Sequence, residues 1–278
     1  LKEFVFKNKK LDTSKNIGVN LILILSLIEA TNSEQLLLVM LGIYLAIIIY
    51  CLYKKIEIPK LIYVYLMIMI LSLIYTAICP GNINRYNKTI MTVFPEYATF
   101  NLINKLDIGT TLFLNWTTTR CDIITIIFFG IMGIYGYIIS QKRKIALLTF
   151  IPIIIVLAFW TMRFIGPASI VHFVALGGSV YGLLSLDSLT IQVCLTLYGL
   201  MIMSVLIFLY LVYKYRTKEL GYILTCLLII GFASVIILGF TPSLFSSGRI
   251  FFYFTFILII ISTMLIRDID KYLEYTKK

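Results

Sequence analysis

Charged side chains are what this sequence mostly does without. Asp, Glu, Lys and Arg make up 13% of its 278 residues, against ~25% in an ordinary soluble domain. So little charge cannot clothe a water-facing surface, and a soluble globular reading is excluded. Histidine occurs once, at His172. The five cysteines are Cys51, Cys79, Cys121, Cys194 and Cys226, and they form no CxxC and no Cys/His spacing, so no zinc site is implied. Neither GxxxxGK[ST], GxGxxG nor a nucleophile elbow occurs, which removes the ATPase, dinucleotide-enzyme and serine-hydrolase readings. No cofactor is implied. The alternating ~10-residue segments of a membrane β-barrel are absent too.

What is present is a series of long apolar runs, several reaching the ~17–25 residues that cross a bilayer. The chain therefore reads as an all-α polytopic membrane protein with about eight spans. They fall at 17–30 (extending to 33), 36–53, 61–79, 122–140, 145–164, 189–213, 220–240 and 250–266. The first is short, and a re-entrant segment is its alternative. Pro152 is placed to kink the fifth. Gly130, Gly133 and Gly136 in the fourth permit a close helix neighbour. Two longer loops interrupt the series, 80–121 and 165–188. In the first, Tyr97, Phe100, Ile103, Asn104 and Leu106 suit a short interfacial helix, and Trp116 suits an aromatic belt. The whole of 1–278 reads as one transmembrane domain. Residue 1 is Leu, so a fragment of a longer protein is expected.

The net charge of +11 is a topology signal. Eighteen of the 24 Lys and Arg fall in the two termini and in the turns at 54–60, 142–144 and 214–219, which alternate onto one side. By the positive-inside rule that side is cytoplasmic, and both termini are inside. Only Arg85, Lys88, Lys105, Arg120, Arg163 and Arg249 fall outside. The acidic residues split nearly evenly, so the basic excess is no nucleic-acid footprint. Membrane lipids are the expected surroundings.

Two stretches stand out on the outer side. The first is Cys79-Pro80-Gly81-Asn82-Ile83-Asn84-Arg85. Pro80 lacks an N–H and disfavours the α region at Cys79, so a helix is expected to end there in a sharp turn with unpaired backbone groups. The second is Thr241-Pro242-Ser243-Leu244-Phe245-Ser246-Ser247-Gly248-Arg249. Each closes on an arginine, whose planar fork of donors fits phosphate. Backbone N–H groups around Gly81 and Gly248 would add to an anion site. Arg85 and Arg249 are expected to approach one outward-facing cavity, with Glu34 near enough to pair with one of them. The blander expectation is that each arginine grips lipid headgroups at the rim. Glu34 follows Thr31-Asn32-Ser33 and either starts a helix or serves as a general base. Glu29 is costly inside an apolar run unless paired. His172 and Arg163 read as interfacial residues, Asp107 and Asp187 as solvated loop acids. A disulfide between Cys79 and Cys121 is left open.

These motifs, the Thr-Asn-Ser-Glu turn and the two stretches closing on Arg85 and Arg249, resemble a family of bacterial multi-pass membrane proteins of uncharacterised function. That family is in turn similar to the GT-C glycosyltransferases, and the likeness covers about residues 17–266. It implies a GT-C-like fold in the bacterial cytoplasmic membrane, acting in cell-surface polysaccharide assembly. The partners it implies are a polyprenyl-phosphate-linked sugar and a glycan or lipid acceptor. It further implies that Glu34, Pro80, Gly81, Asn82, Arg85, Pro242, Gly248 and Arg249 line one extracytoplasmic site, with Glu34 as the catalytic candidate. The acid that GT-C enzymes carry in the loop after their first helix has no equivalent here; it lies upstream of Leu1 or is absent. A transporter or flippase of lipid-linked glycans and a non-catalytic scaffold are the alternatives.

Overall fold

A computed structural model describes residues 21–22, 24–25, 27–28, 33–92, 94–118, 122–140, 143–165, 189–241 and 251–276. All regular structure among them is helical. Six helices are long and apolar enough to cross a membrane: Gln35–Lys54, Lys60–Ile78, Arg143–Thr161, Leu195–Tyr215, Lys218–Phe240 and Phe252–Glu274. Ile123–Ile139 is apolar but shorter. The expected first span lies largely outside the described residues. The chain divides into two compact units, Leu1–Ala98 and Thr99–Lys278.

In the first unit the Ser33 hydroxyl accepts from the Leu36 N–H at 3.5 Å and caps helix α1 (Glu34–Lys54). The helix ends where Lys55 turns left-handed, φ 55°, and its N–H reaches the Cys51 and Leu52 carbonyls. Pro59, extended, precedes helix α2 (Lys60–Ile78). Leu37, Tyr44, Ile62, Tyr65 and Met69 form the core between the two helices, with Leu27 added. The Tyr44 and Tyr65 rings meet edge-on at 5.6 Å, an arrangement their quadrupoles favour. Tyr63, Met67, Ile70, Leu71 and Ile74 of α2 remain exposed, as a lipid-facing surface requires.

The helix ends before Pro80 as expected, but no loop follows. Cys79 is extended (φ −61°, ψ 120°), and the chain becomes helical again at once as α3 (Pro80–Thr92). Proline suits a first helical position, where its missing N–H would have had no partner. The Asn82 and Ile83 N–H groups donate to the Cys79 carbonyl at 3.0 and 3.1 Å. The break is therefore one residue long, and Pro80 causes it by denying Cys79 the α region. Beyond α3 the chain forms a 3-10 turn (Pro95–Thr99) with Phe94 and Tyr97 buried. Among the described residues of 80–121, few are irregular.

In the second unit, the helix expected to lie in the interface is longer and packed. Helix α4 (Leu102–Thr117) is capped by Asn101, whose Oδ1 accepts from the Asn104 N–H at 2.9 Å. Helices α5 (Ile123–Ile139), α6 (Arg143–Leu147), α7 (Ile151–Ile165), α8 (Leu189–Tyr215), α9 (Lys218–Ile236) and α10 (Phe252–Thr276) follow. Helix α4 crosses the end of α9 backbone to backbone. A Cβ on Gly109 would lie 2.8 Å from the Ile236 Cα and nearer still to its carbonyl oxygen. A Cβ on Gly239, in the 3-10 turn after α9, would lie 2.6 Å from the Gly109 nitrogen. Phe113 then meets Phe232 and Phe254 edge-on. Small residues at the crossing are what let α4 leave the surface.

The glycines of α5 serve the same purpose. Cβ atoms on Gly136, Gly133 and Gly130 would meet Thr149, Phe150 and Ile153 at 2.6, 2.6 and 3.2 Å. The order descends on α5 as it ascends on the partner, so α5 and α7 are antiparallel. Pro152 is the second residue of α7. Its missing N–H leaves the Leu148 carbonyl without its helical donor, the chain is 3-10 over Leu148–Phe150, and the Ser204 hydroxyl of α8 donates to that carbonyl at 2.7 Å.

Candidate functional site

Helices α1 and α2 pack as an antiparallel hairpin, with Lys54, Lys55 and Lys60 at its turn. Its other end carries the start of α1 and the start of α3. Glu34 is the first residue of α1, so it shares that end of the hairpin with Gly81, Asn82 and Arg85. Gly248, Arg249 and Pro242 lie outside the described residues, as do Glu29, Cys121, His172 and Asp187. The expected meeting of Arg85 with Arg249 falls there too.

On α3, Arg85 is exposed, and its guanidinium has no partner among the described residues; its backbone carbonyl accepts from the Thr89 hydroxyl at 2.8 Å. Lys88 lies three residues on, also exposed, so the two cations share a face. Asn82 bonds back to α2. Its Nδ2 donates to the Thr76 carbonyl at 3.0 Å and closes the last turn of α2. Gly81 is not required by crowding, since a Cβ there would meet only Cys79 Sγ at 3.9 Å. Nearby, burial pushes the Tyr97 hydroxyl well above its ordinary range, with Tyr86 adding to the shift. Cys79 carries a free thiol, against the disulfide left open above.

Sequence reasoning missed the most connected polar cluster in the second unit. Asp268 of α10 accepts at Oδ2 from Arg216 Nε at 2.7 Å and at Oδ1 from Arg216 Nη2 at 2.6 Å. The hydroxyl of Tyr135, wholly buried on α5, donates to the same Oδ2 at 2.6 Å. The guanidinium also lies over the Tyr272 ring, 5.3 Å from its centre. Asp268 holds the Arg216 guanidinium yet further above its usual range. The carboxylate is used as an acceptor from both sides, so it is poorly placed as a base and well placed as a clasp of α5, α10 and the α8–α9 turn. The signal was present in the sequence. Leu258, Ile261 and Leu265 form the buried stripe of α10, and Asp268 is its next member at helical spacing.

A second carboxylate ties the other end. Asp122 caps α5, its Oδ1 accepting from the Thr125 N–H and hydroxyl at 2.8 Å each. Its Oδ2 accepts from the Thr255 hydroxyl of α10 at 3.1 Å. Asp107, expected as a solvated loop acid, is half-buried on α4 and accepts from Thr111 at 3.3 Å. Trp116, expected in a lipid-facing belt, stacks on Phe251 at 3.9 Å with the rings 4° apart.

Among the described residues no group of His, Cys, Asp or Glu could hold a metal ion. No protein-family model matches the chain, and neither the curated proteins nor the solved structures offer a match.

Proposed function

We propose that the protein binds the phosphate of a polyprenyl-linked sugar at its extracytoplasmic end. In this reading it is a glycosyltransferase of cell-surface glycan assembly, or the C-terminal part of one. The basic turns orient it, with Lys54, Lys55 and Lys60 facing the cytoplasm, so the opposite end of the α1–α2 hairpin faces out. The observation that carries the reading lies at that end. Arg85 is an exposed cation without a described partner, about a turn and a half into the helix that follows a membrane-length span. Glu34 begins the neighbouring helix at the same end. Arg85 would hold the carrier phosphate, and Glu34 would orient or deprotonate the acceptor hydroxyl.

The test is turnover of labelled polyprenyl-phosphate sugars by the purified full-length protein in bilayers. Arg85→Ala is expected to lower turnover by ~10²-fold, the usual scale for losing one charge-stabilising donor, and Glu34→Gln to lower kcat more than KM. Unchanged turnover in Arg85→Ala and Arg249→Ala would remove this site. Movement of the labelled carrier between leaflets without sugar transfer would favour a flippase instead.

A further inference from the structure

We infer that α3 lies in the plane of the outer membrane interface, with one face among the acyl chains and the Arg85–Lys88 face at the level of the lipid phosphates, where a carrier phosphate would also lie. The inference goes beyond the proposed substrate and does not depend on it.

Three observations carry it. The first is sequence at helical spacing. Wound at about 100° per residue, Ile83, Tyr86, Ile90 and Met91 fall on one side of α3, and Arg85, Lys88, Thr89 and Thr92 fall on the other. Asn87 is the exception on the apolar side, and interfacial depth tolerates an amide that the hydrocarbon centre would not. The second is exposure. No residue of α3 is buried. Ile83 is 45% exposed and Met91 78%, while Tyr86 leans edge-on to Tyr97 at 6.1 Å. A soluble helix of this pattern would bury its apolar side against protein; this one presents it outward.

The third is continuity with a span. Only Cys79 separates α3 from α2, a helix of membrane length. Cys79 is extended, so the helix axis must change direction there, and the Asn82 amide bonded to the Thr76 carbonyl fixes the bend. A 13-residue amphipathic helix tied within one residue to the end of a span begins at the membrane surface. An amphipathic helix held there turns its apolar side down and its cations to the phosphates. The occupant of the exposed face is therefore lipid.

The experiment places a nitroxide in turn at Ile83, Ile90, Met91, Arg85, Lys88 and Thr92, using a genetically encoded ketone side chain so that the native cysteines stay. The full chain is reconstituted in bilayers, and collision rates with oxygen and with a water-soluble nickel chelate are compared. The oxygen-to-nickel ratio is expected to be severalfold higher at Ile83, Ile90 and Met91 than at Arg85, Lys88 and Thr92. Equal ratios on both faces would place α3 in water. Low rates with both reagents at the apolar positions would mean that protein covers them. Either result overturns the inference. In phosphatidylglycerol bilayers the Ile83 label should sit deeper than in phosphatidylcholine, and Arg85→Gln with Lys88→Gln should abolish that difference. A difference that survives the double substitution refutes the headgroup contact.

Discussion

Replacing Asp268 by alanine tests the clasp at one end of the second unit. Two losses add. The Tyr135 hydroxyl loses its acceptor in a site where the ring is wholly buried, and an orphaned buried hydroxyl costs ~1–3 kcal/mol. Arg216 loses both carboxylate contacts, but the pair is 21% and 19% exposed. Its worth lies between the ~0–1 kcal/mol of a surface pair and the ~3–5 kcal/mol of a buried one, nearer the lower figure. Together Asp268→Ala should cost about 2–4 kcal/mol. Tyr135→Phe alone removes the donor along with its need for a partner and should cost ~1 kcal/mol. The decisive comparison is the double variant. If the hydroxyl is orphaned, Tyr135→Phe added to Asp268→Ala should restore stability, reversing the sign of its effect in the parent. Equilibrium unfolding in mixed micelles of rising dodecyl sulfate fraction, followed by tryptophan fluorescence, measures all four proteins. A double variant less stable than Asp268→Ala refutes the argument, since the hydroxyl must then have another acceptor.

Four further outcomes are expected in the same assay. Gly239→Ala and Gly109→Ala should each cost several kcal/mol, because the added carbon meets backbone that cannot yield. Gly199→Ala, with nothing within 4 Å, should be neutral or slightly stabilising. Ser204→Ala should cost ~1 kcal/mol, the net worth of one hydrogen bond, because the Leu148 carbonyl keeps the Ile151 N–H, and Pro152→Ala should offset part of that loss by returning a backbone donor; strictly additive costs would show that the hydroxyl is not substituting for the missing N–H. Asp122→Ala should cost ~1–2 kcal/mol through the lost cap, and Asp122→Asn less, because an amide oxygen still accepts from the Thr125 N–H.

Hydropathy made the spans legible, since their length and lack of charge are set by the bilayer alone. The glycines of α5 were legible for the same reason: a small side chain at one-turn spacing has few other uses in an apolar helix. Pro80 was half legible. Its chemistry forbids the α region at Cys79 but says nothing of Gly81 onward, so one forbidden residue was read as a whole turn. A helix near α4 was legible, but its length and packing were not, because Asn104, Lys105 and Asp107 make its first turns polar and Gly109 shows its use only where it meets Ile236. Asp268 was read as tail charge because the stripe Leu258, Ile261, Leu265 reads as ending where polarity begins. In fact α10 runs on to Thr276, and its buried face continues through a carboxylate. What decided these cases was the partner on a distant helix, which local pattern does not carry.

The two carboxylate ties also fix how the second unit is strung. Asp122 meets Thr255 and Tyr135 meets Asp268, each pair 133 residues apart. Equal offsets at two places thirteen residues apart mean that α5 and α10 run parallel and in step for about 20 Å. Arg216, at the end of α8, reaches the same Asp268, so α8 runs parallel to both. Helix α7 runs against α5. The basic residues Arg143 and Lys144, Lys214 to Lys218, and Arg267 and Lys271 therefore gather at one end of this unit, which is the arrangement that charge alternation along the sequence requires. Gathering them has a cost, since like charges at helix ends repel. Screening confines that repulsion to about 8 Å at physiological salt, so distant loops do not matter and the nearest neighbours do. Asp268 answers at that range. It neutralises one guanidinium by direct contact, and the buried Tyr135 hydroxyl holds it in place. The positive end of this unit is thus closed by a carboxylate lying on the core face of α10.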